Sequence, residues 1–276
     1  LYRWEGARVT VSRFERAGTY LVLGVFTIFA LYPLLAIIVT ALRSEVAGQG
    51  GIHWENFGKA WSEARFGSYL FSSLIVSVSV VALTVLLSVM AAYAFGTMQF
   101  RGRDVLFYLM LLGLTVPSEA VVVPLYFDLR DLGLTDTYAS LIFPQVAQSV
   151  AFGAFWMRTY FRSASRGVVE AARLDGAGHW QTLWRVLVPM GRPALVTLIV
   201  LVFMWTWNEF LLARVMITSE ALRTAPLGLQ FFSGRSTTSV PLLAAASVLV
   251  ALPVVVLYLF LQRHFIRGMV DGSVKG

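Results

Sequence analysis

The chain has 276 residues, 58% of them hydrophobic and only 13% charged, with a formal net charge of +7 and no cysteine. A soluble domain carries about a quarter of its residues charged, so this balance excludes an ordinary globular enzyme or binding module. The absence of cysteine excludes disulfide and thiol chemistry.

Crossing ~30 Å of hydrocarbon at ~1.5 Å per residue takes about 20 apolar residues. Six stretches reach that length, at about 17–42, 67–95, 105–127, 139–157, 193–217 and 241–262. The first, second, fourth and sixth contain no Asp, Glu, Lys or Arg. Barrel strands would alternate polar and apolar residues, so the expected fold is an all-α membrane protein with six transmembrane helices.

Residues 1–16 form a basic lead with Arg3, Arg8, Arg13 and Arg16; the chain opens on Leu1 rather than Met, so residues ahead of it are expected. The first helix, 17–42, is too long for a signal-peptide core and lacks a small-residue cleavage site, so it is expected to stay as an anchor. Pro33 is expected to kink it. An outside loop, 43–66, leads to a hairpin of two spans turned at Gln99-Phe100-Arg101-Gly102-Arg103. Pro117 breaks the third span, and Leu132-Gly133-Leu134 lies in a short outside connection. Pro193 opens the fifth span, a first-turn position where no N–H partner is needed. Pro253 lies in the sixth, and residues 263–276 form a tail.

Lys and Arg set the orientation. Fifteen of the 22 fall in 1–16, 96–104, 158–192 and the tail, and seven in the alternate segments. Both termini and the 158–192 loop are therefore expected on the cytoplasmic side. The net positive charge is mostly this bias and calls for no nucleic acid.

The 35-residue polar loop 158–192 is the most informative segment. A connection this long is either functional or disordered. Residues 168–177 favour helix, with Glu170 placed early, where a carboxylate complements the helix dipole. Asp175-Gly176 offers a stop, because Gly176 accepts a positive φ. Trp180, Leu183, Trp184 and Leu187 then share one face of a second helix, which Pro189 closes. The spacing predicts helix, turn, helix, lying flat at the membrane surface. An amphipathic hairpin resting on lipid headgroups would have this pattern. A protein-docking knob would too, with Ala171 and Ala172 allowing close approach and Glu170 and Asp175 suiting a basic groove.

Glu170-Ala171-Ala172-Arg173-Leu174-Asp175-Gly176-Ala177, followed by Val186-Leu187-Val188-Pro189, resembles the cytoplasmic loop of ABC importer permeases. The likeness is greatest to the sugar-permease branch and its maltose-type, shorter subunit. Trp54-Glu55-Asn56-Phe57, Ala91-Ala92-Tyr93-Ala94-Phe95, Phe100-Arg101-Gly102-Arg103, Val116-Pro117, Pro124-Leu125-Tyr126, Leu132 to Thr137, Trp207-Asn208-Glu209-Phe210 and the tail Gly268 to Gly276 fall in the family's order. Departures are Ser163 to Gly167, where the family often has a proline, and Ser72-Ser73, where Asn-Ser is usual.

The resemblance implies a type I ABC importer transmembrane domain over 67–262, in a bacterial or archaeal cytoplasmic membrane. It implies a cytoplasmic ATPase dimer, a second homologous permease and an extracytoplasmic solute-binding protein as partners. The hairpin, through Glu170, Ala171, Ala172, Asp175, Gly176, Ala177, Trp180, Leu183, Trp184, Leu187 and Pro189, would dock on the ATPase. The tail residues Gly272, Val274, Lys275 and Gly276 would make a second contact with it.

A phosphate-binding loop needs Lys and Ser/Thr after a Gly-rich turn. The two lysines, Lys59 and Lys275, have no such setting. This chain is therefore expected to hold no cofactor itself and to draw on ATP and Mg²⁺ through the partner ATPase. Glu119, Asn208 and Glu209 are the polar groups within spans, candidates for the solute path, for a binding-protein contact, or simply for hydrogen bonds between helices. Trp205 and Trp207 could stack on a sugar ring, though packing is the commoner use at that depth. His53, His179 and His264 lie apart at loops and ends and form no metal cluster. An ion-driven transporter would need midplane charges in related halves, and Glu119 with Glu209 are few for that.

Overall fold

The computed structural model describes residues 12–46, 50–163, 166–233 and 239–273. Helix α1, Arg13–Ala41, is started by a capping box in which Ser12 Oγ accepts from Glu15 N at 3.1 Å and Glu15 Oε2 accepts from Ser12 N at 2.8 Å. It runs through Pro33 as one helix. Its last carbonyls need donors, and Asn56 supplies them: Nδ2 donates to Ala41 O at 2.9 Å and to Arg43 O at 2.8 Å. Asn56 belongs to the short helix α2, Glu55–Glu63.

Helix α3 is Phe66–Thr97, and α4 is Arg103–Leu112, extended by a 3₁₀ turn to Thr115. After Val116-Pro117 comes α5, Ser118–Asp131, then the long α6, Tyr138–Ser163. The hairpin of the polar loop consists of α7, Arg166–Leu174, and a second arm made of α8, His179–Gln181, a π-helical stretch, Thr182–Leu187, and α9, Val188–Met190. Helix α10, Arg192–Trp207, and the short α11, Leu211–Met216, follow. A loop with α12, Ala225–Gly228, leads to α13, Val240–Ser273.

Among the described residues, three helices are long and apolar enough to cross a membrane: α1, α3 and α13 up to Gln262. Two further apolar stretches are bent pairs, α4 to Thr115 with α5 at 97°, and the second hairpin arm with α10 at 81°. The fourth stretch is the 26-residue α6, whose apolar run is diluted by Gln145, Gln148 and Ser149. The third stretch is thus a sharply broken element rather than one straight helix. The fifth ends at Trp207, because the Asn208 side chain donates to Met204 O at 2.8 Å and closes the helix ten residues short of 217.

The larger core joins α3, α5, α6, α10 and α11 with the π-helical stretch, around Val80, Leu141, Met157, Leu187, Leu198 and Met216. A second core packs the end of α1, α2, the start of α3, and α13 around Phe66, Tyr69, Phe232 and Ala245. Helix α1 lies mainly along α13 and leaves side chains such as Phe26 and Phe29 exposed, as hydrocarbon allows.

The most extensive helix pair is α3 with α6. Small residues let these backbones approach closely. A Cβ at Gly153 would meet Ser88 Oγ and lie 2.8 Å from Ser88 Cβ and 3.3 Å from Leu198 Cδ1. Gly153→Ala is therefore expected to destabilise the bundle by about 1–3 kcal/mol, and Ser88→Gly in the same chain to restore most of the loss. Thermal unfolding in detergent measures both; an unchanged Gly153→Ala midpoint contradicts the close approach.

Candidate functional site

The hairpin is closed by its sequence. Gly176 has φ +79°, its N–H donates to Arg173 O at 3.0 Å, and Ala177 N donates to Ala172 O at 2.9 Å. That pair of bonds is a Schellman motif, with glycine in the left-handed position that a Cβ disfavours. The tip is exposed: Glu170, Ala171, Leu174, Asp175, Gly176 and Trp180 all face out, Leu174 at 88% and Trp180 at 62%.

The four apolar residues of the second arm divide. Leu183 and Leu187 are buried in the main core, Trp184 is half-buried and Trp180 is exposed. The arm is thus not a free amphipathic helix lying on lipid; it is anchored to the bundle. The π-helical stretch spans three of these four residues and changes the angular spacing that α-periodicity assumes. Tyr93 OH and His179 Nδ1 share a hydrogen bond of 2.9 Å, and Tyr160 OH donates to Met190 O at 2.6 Å. Gly191 turns the chain into α10 where a Cβ would lie 3.1 Å from Leu187 O. Beside this seat, Arg158 ties α6 to the end of α3 and to α4: Nε donates to Phe95 O at 3.1 Å, and the guanidinium lies 3.8 Å from the Phe107 ring centre.

Within the bundle, the Val116-Pro117 bend and the interruption between α10 and α11 open on the same space. A cavity of about 340 Å³ is lined by Val116, Ser118 and Glu119 at the first break, by Glu209 and Leu211 at the second, and by Gln145 and Gln148 of α6. A second cavity of about 370 Å³ shares Gln145, Gln148 and Glu209 and adds Ser149, Phe152 and Trp205. Glu209 also caps α11, its Oε1 accepting from Leu212 N at 2.7 Å. Glu119 sits in the first turn of α5, where the helix dipole favours a carboxylate.

The two glutamates expected to matter are therefore brought together at one space, and Asn208 is set to capping α10. Trp205, half exposed, stands edge-on to Phe152 at 4.9 Å, whereas Trp207 is buried and donates to Val250 O at 3.0 Å. Gln145 and Gln148 were not anticipated. Their signal is a pair of amides at i and i+3 in an otherwise apolar span, which puts both on one face. His53 Nδ1 lies 2.6 Å from Glu55 Oε1, and with the His179–Tyr93 bond this gives two of the three histidines a specific partner. Of the tail residues, Gly272 belongs to α13, and Val274, Lys275 and Gly276 lie outside the described residues.

On the side opposite the hairpin, Asp136 holds two connections together. It has φ +57°, its N–H donates to Met216 O at 2.9 Å, and its Oδ1 accepts from Thr218 N, Ser219 N and Ser219 Oγ at 3.0, 2.9 and 2.9 Å. The Ser219 and Thr218 donors hold its carboxyl below the usual carboxylate range, against partial desolvation. Nearby, Ser73 Oγ accepts from Ala225 N at 2.8 Å and Ser72 Oγ lies 2.9 Å from Tyr138 OH, so the Ser72-Ser73 pair also fastens α3 to the outer segments.

Residues 85–271 match the family described as binding-protein-dependent transport system inner membrane component, and the chain belongs to that family. It is 32% identical, over 98% of its length and 93% of the relative's, to the diacetylchitobiose uptake system permease protein NgcG of Streptomyces coelicolor. It is 31% identical, over 95% of its length and 99% of the relative's, to the trehalose transport system permease protein SugB of Mycobacterium tuberculosis. Among solved structures, a chain of a bacterial ABC transporter involved in import of the acidic polysaccharide alginate superposes with a TM-score of 0.77. The two share 26% identity over 92% of this chain and 98% of that one. The protein is thus a multi-pass membrane permease of the ABC transporter class, with a type I importer fold.

The Asp136 clamp has a definite pH dependence. Its folded carboxyl titrates below the ordinary value of 3.8, so its stabilisation is complete above that value and is lost as pH falls through the lowered one. Wild type is expected to be more stable than Asp136→Ala by about 1 kcal/mol at neutral pH, a figure reduced by solvent at a half-exposed site. That margin should shrink only below about pH 4. Unfolding midpoints between pH 7 and pH 3 measure it; a constant margin would contradict the charged clamp.

Proposed function

We propose that this chain is the inner-membrane permease subunit of an ATP-driven, binding-protein-dependent importer for a carbohydrate or related solute. The observation that carries the reading is the meeting of the Val116-Pro117 bend and the α10–α11 interruption, each with its glutamate, on one cavity. Backbone freed from helix at membrane depth is tolerated only against protein or a water-filled space. The cavity is half of the solute path, and a second homologous permease supplies the other half. The carbohydrate names of both relatives and the alginate transporter support the solute class.

The energy comes from a cytoplasmic ATPase dimer, which would hold the ATP and Mg²⁺. Lys59 is engaged with Glu45 at 3.0 Å on the predicted outer side, away from any phosphate-binding loop. The 168–189 hairpin docks on that ATPase with Glu170, Asp175 and the exposed Leu174 and Trp180, while Leu183 and Leu187 pass its movement into the core. An extracytoplasmic binding protein delivers solute to the other side, and the termini lie in the cytoplasm.

The test is reconstitution with the second permease, the ATPase and the binding protein, measuring solute uptake and ATP hydrolysis together. Uptake should require Mg-ATP and survive an ionophore; uptake that ignores ATP and collapses with the ion gradient would make the protein a secondary transporter. Gly176 sharpens the result. A Cβ there meets nothing within 4 Å in this chain, so the only internal penalty is the positive φ, which Asn tolerates. Gly176→Asn and Glu170→Lys should both reach the membrane and lose coupled uptake by at least about tenfold, or ~1.4 kcal/mol. Full coupling in Gly176→Asn would contradict docking at the tip.

A further inference from the structure

The lining of the two cavities carries a charge signature. Their walls contain the carboxyl groups of Glu119 and Glu209, the amides of Gln145 and Gln148, and an aromatic edge from Phe152 and Trp205. No Lys, Arg or His lines either cavity among the described residues. Two arginines near these elements are engaged elsewhere: Arg158 pairs with Asp104 at 3.4 Å toward the hairpin end, and Arg214 Nη1 donates to Gln230 Oε1 at 2.5 Å.

Amides and carboxylates hydrogen-bond hydroxyl and amide groups well, and an aromatic face suits the apolar side of a sugar ring. A solute carboxylate or phosphate would have to shed water here with no cation to meet it. It would also face two groups of its own sign, which is a repulsive selectivity element.

On the carbohydrate-import reading above, we propose that this chain's half of the path selects a non-anionic glycan, uncharged or amino-bearing, and rejects uronic or phosphorylated ones. Glu119 and Glu209 set the rejection, and Gln148 and Trp205 give the favourable contacts; Gln145, whose Nε2 donates to Leu141 O at 2.8 Å, is held as part of the wall. The alginate transporter, which shares the fold, handles an acidic polysaccharide; by this criterion the present chain serves a different solute charge class.

The test uses the assembled complex of both permeases and the ATPase, without binding protein, so that selectivity belongs to the membrane path. Trp205 fluorescence is titrated with three oligosaccharides of equal length: N-acetylglucosamine oligomer, its deacetylated amine form, and a uronate oligomer. The first two should quench, and the uronate should bind at least about tenfold more weakly, since carboxylates facing a shared cavity are only partly screened. Glu119→Gln with Glu209→Gln should bring the uronate within about threefold of the neutral oligomer. The amide oxygen that E209Q introduces can still accept from Leu212 N, so the α11 cap is kept. Gln148→Glu, which leaves both carboxylates in place, should widen the gap.

Equal binding of the uronate, an unchanged ratio in the E119Q/E209Q variant, or quenching that persists in Trp205→Phe would overturn the inference. The import reading is judged separately, by ATP-driven uptake of the same oligomers with binding protein present. If no carbohydrate is taken up, that reading fails; if uptake proceeds with no charge preference in the path, only the inference fails.

Discussion

The whole arrangement turns on the cost of unpaired backbone groups in hydrocarbon. A straight helix satisfies every N–H and C=O internally, and a break exposes several of them. Two of this chain's breaks face the cavity, the bend at Val116-Pro117 and the stop between α10 and α11 at Asn208 to Phe210. Each break is repaired locally. Ala120 N donates to Pro117 O at 3.1 Å, Glu209 N to Thr206 O at 3.2 Å, and the Glu209 side chain takes the Leu212 N–H. What remains polar is turned toward a common cavity rather than toward lipid. On the proposed function, the path and the helix breaks are the same feature, seen once as energetics and once as function.

That interior is tied to both surfaces by short, specific contacts. At the hairpin end, the second arm is bonded to α3 through Tyr93 and to α6 through Tyr160, and its leucines are core residues. A displacement of the arm must therefore move α3 and α6, the pair held together by small-residue packing at Ser88 and Gly153. At the other end, Asp136 fastens the α5–α6 connection to the segment after α11. Both clamped connections lead directly to the broken elements. A tightly packed bundle held this way shifts between discrete arrangements rather than deforming smoothly, and a partner that binds one arrangement better biases the balance.

Much of this was legible in the residues. Apolar run length marks the spans, Pro117 marks the first break, and Asp175-Gly176 marks the hairpin turn, because each acts through local chain chemistry. The size of the bend at Pro117 was not legible, since it is set by what packs on either side. Nor was the early end of α10: Asn208 reads as a polar residue inside an apolar run, and only the bond to Met204 O makes it a cap. That Leu183 and Leu187 face the core while Trp180 stays exposed was not legible, because α-periodicity puts all of them on one face and packing divides them. Gln145 and Gln148 carry no charge and so stand out less than Glu119 or Glu209, although uncharged amides in an apolar helix carry the same kind of signal.

The sequence has no cysteine, so a single introduced thiol is the one thiol this chain contributes, and the transporter assembled with the unaltered chain is the blank for the partners. Ser118→Cys puts that thiol on the wall of the cavity at the Val116-Pro117 break. In the assembled transporter, its reaction with a membrane-impermeant maleimide should differ between resting and Mg-ATP-driven states and be slowed by transported solute. A thiol that reacts equally in every state, or in none, would contradict the claim that the cavity between the broken helices is the solute path.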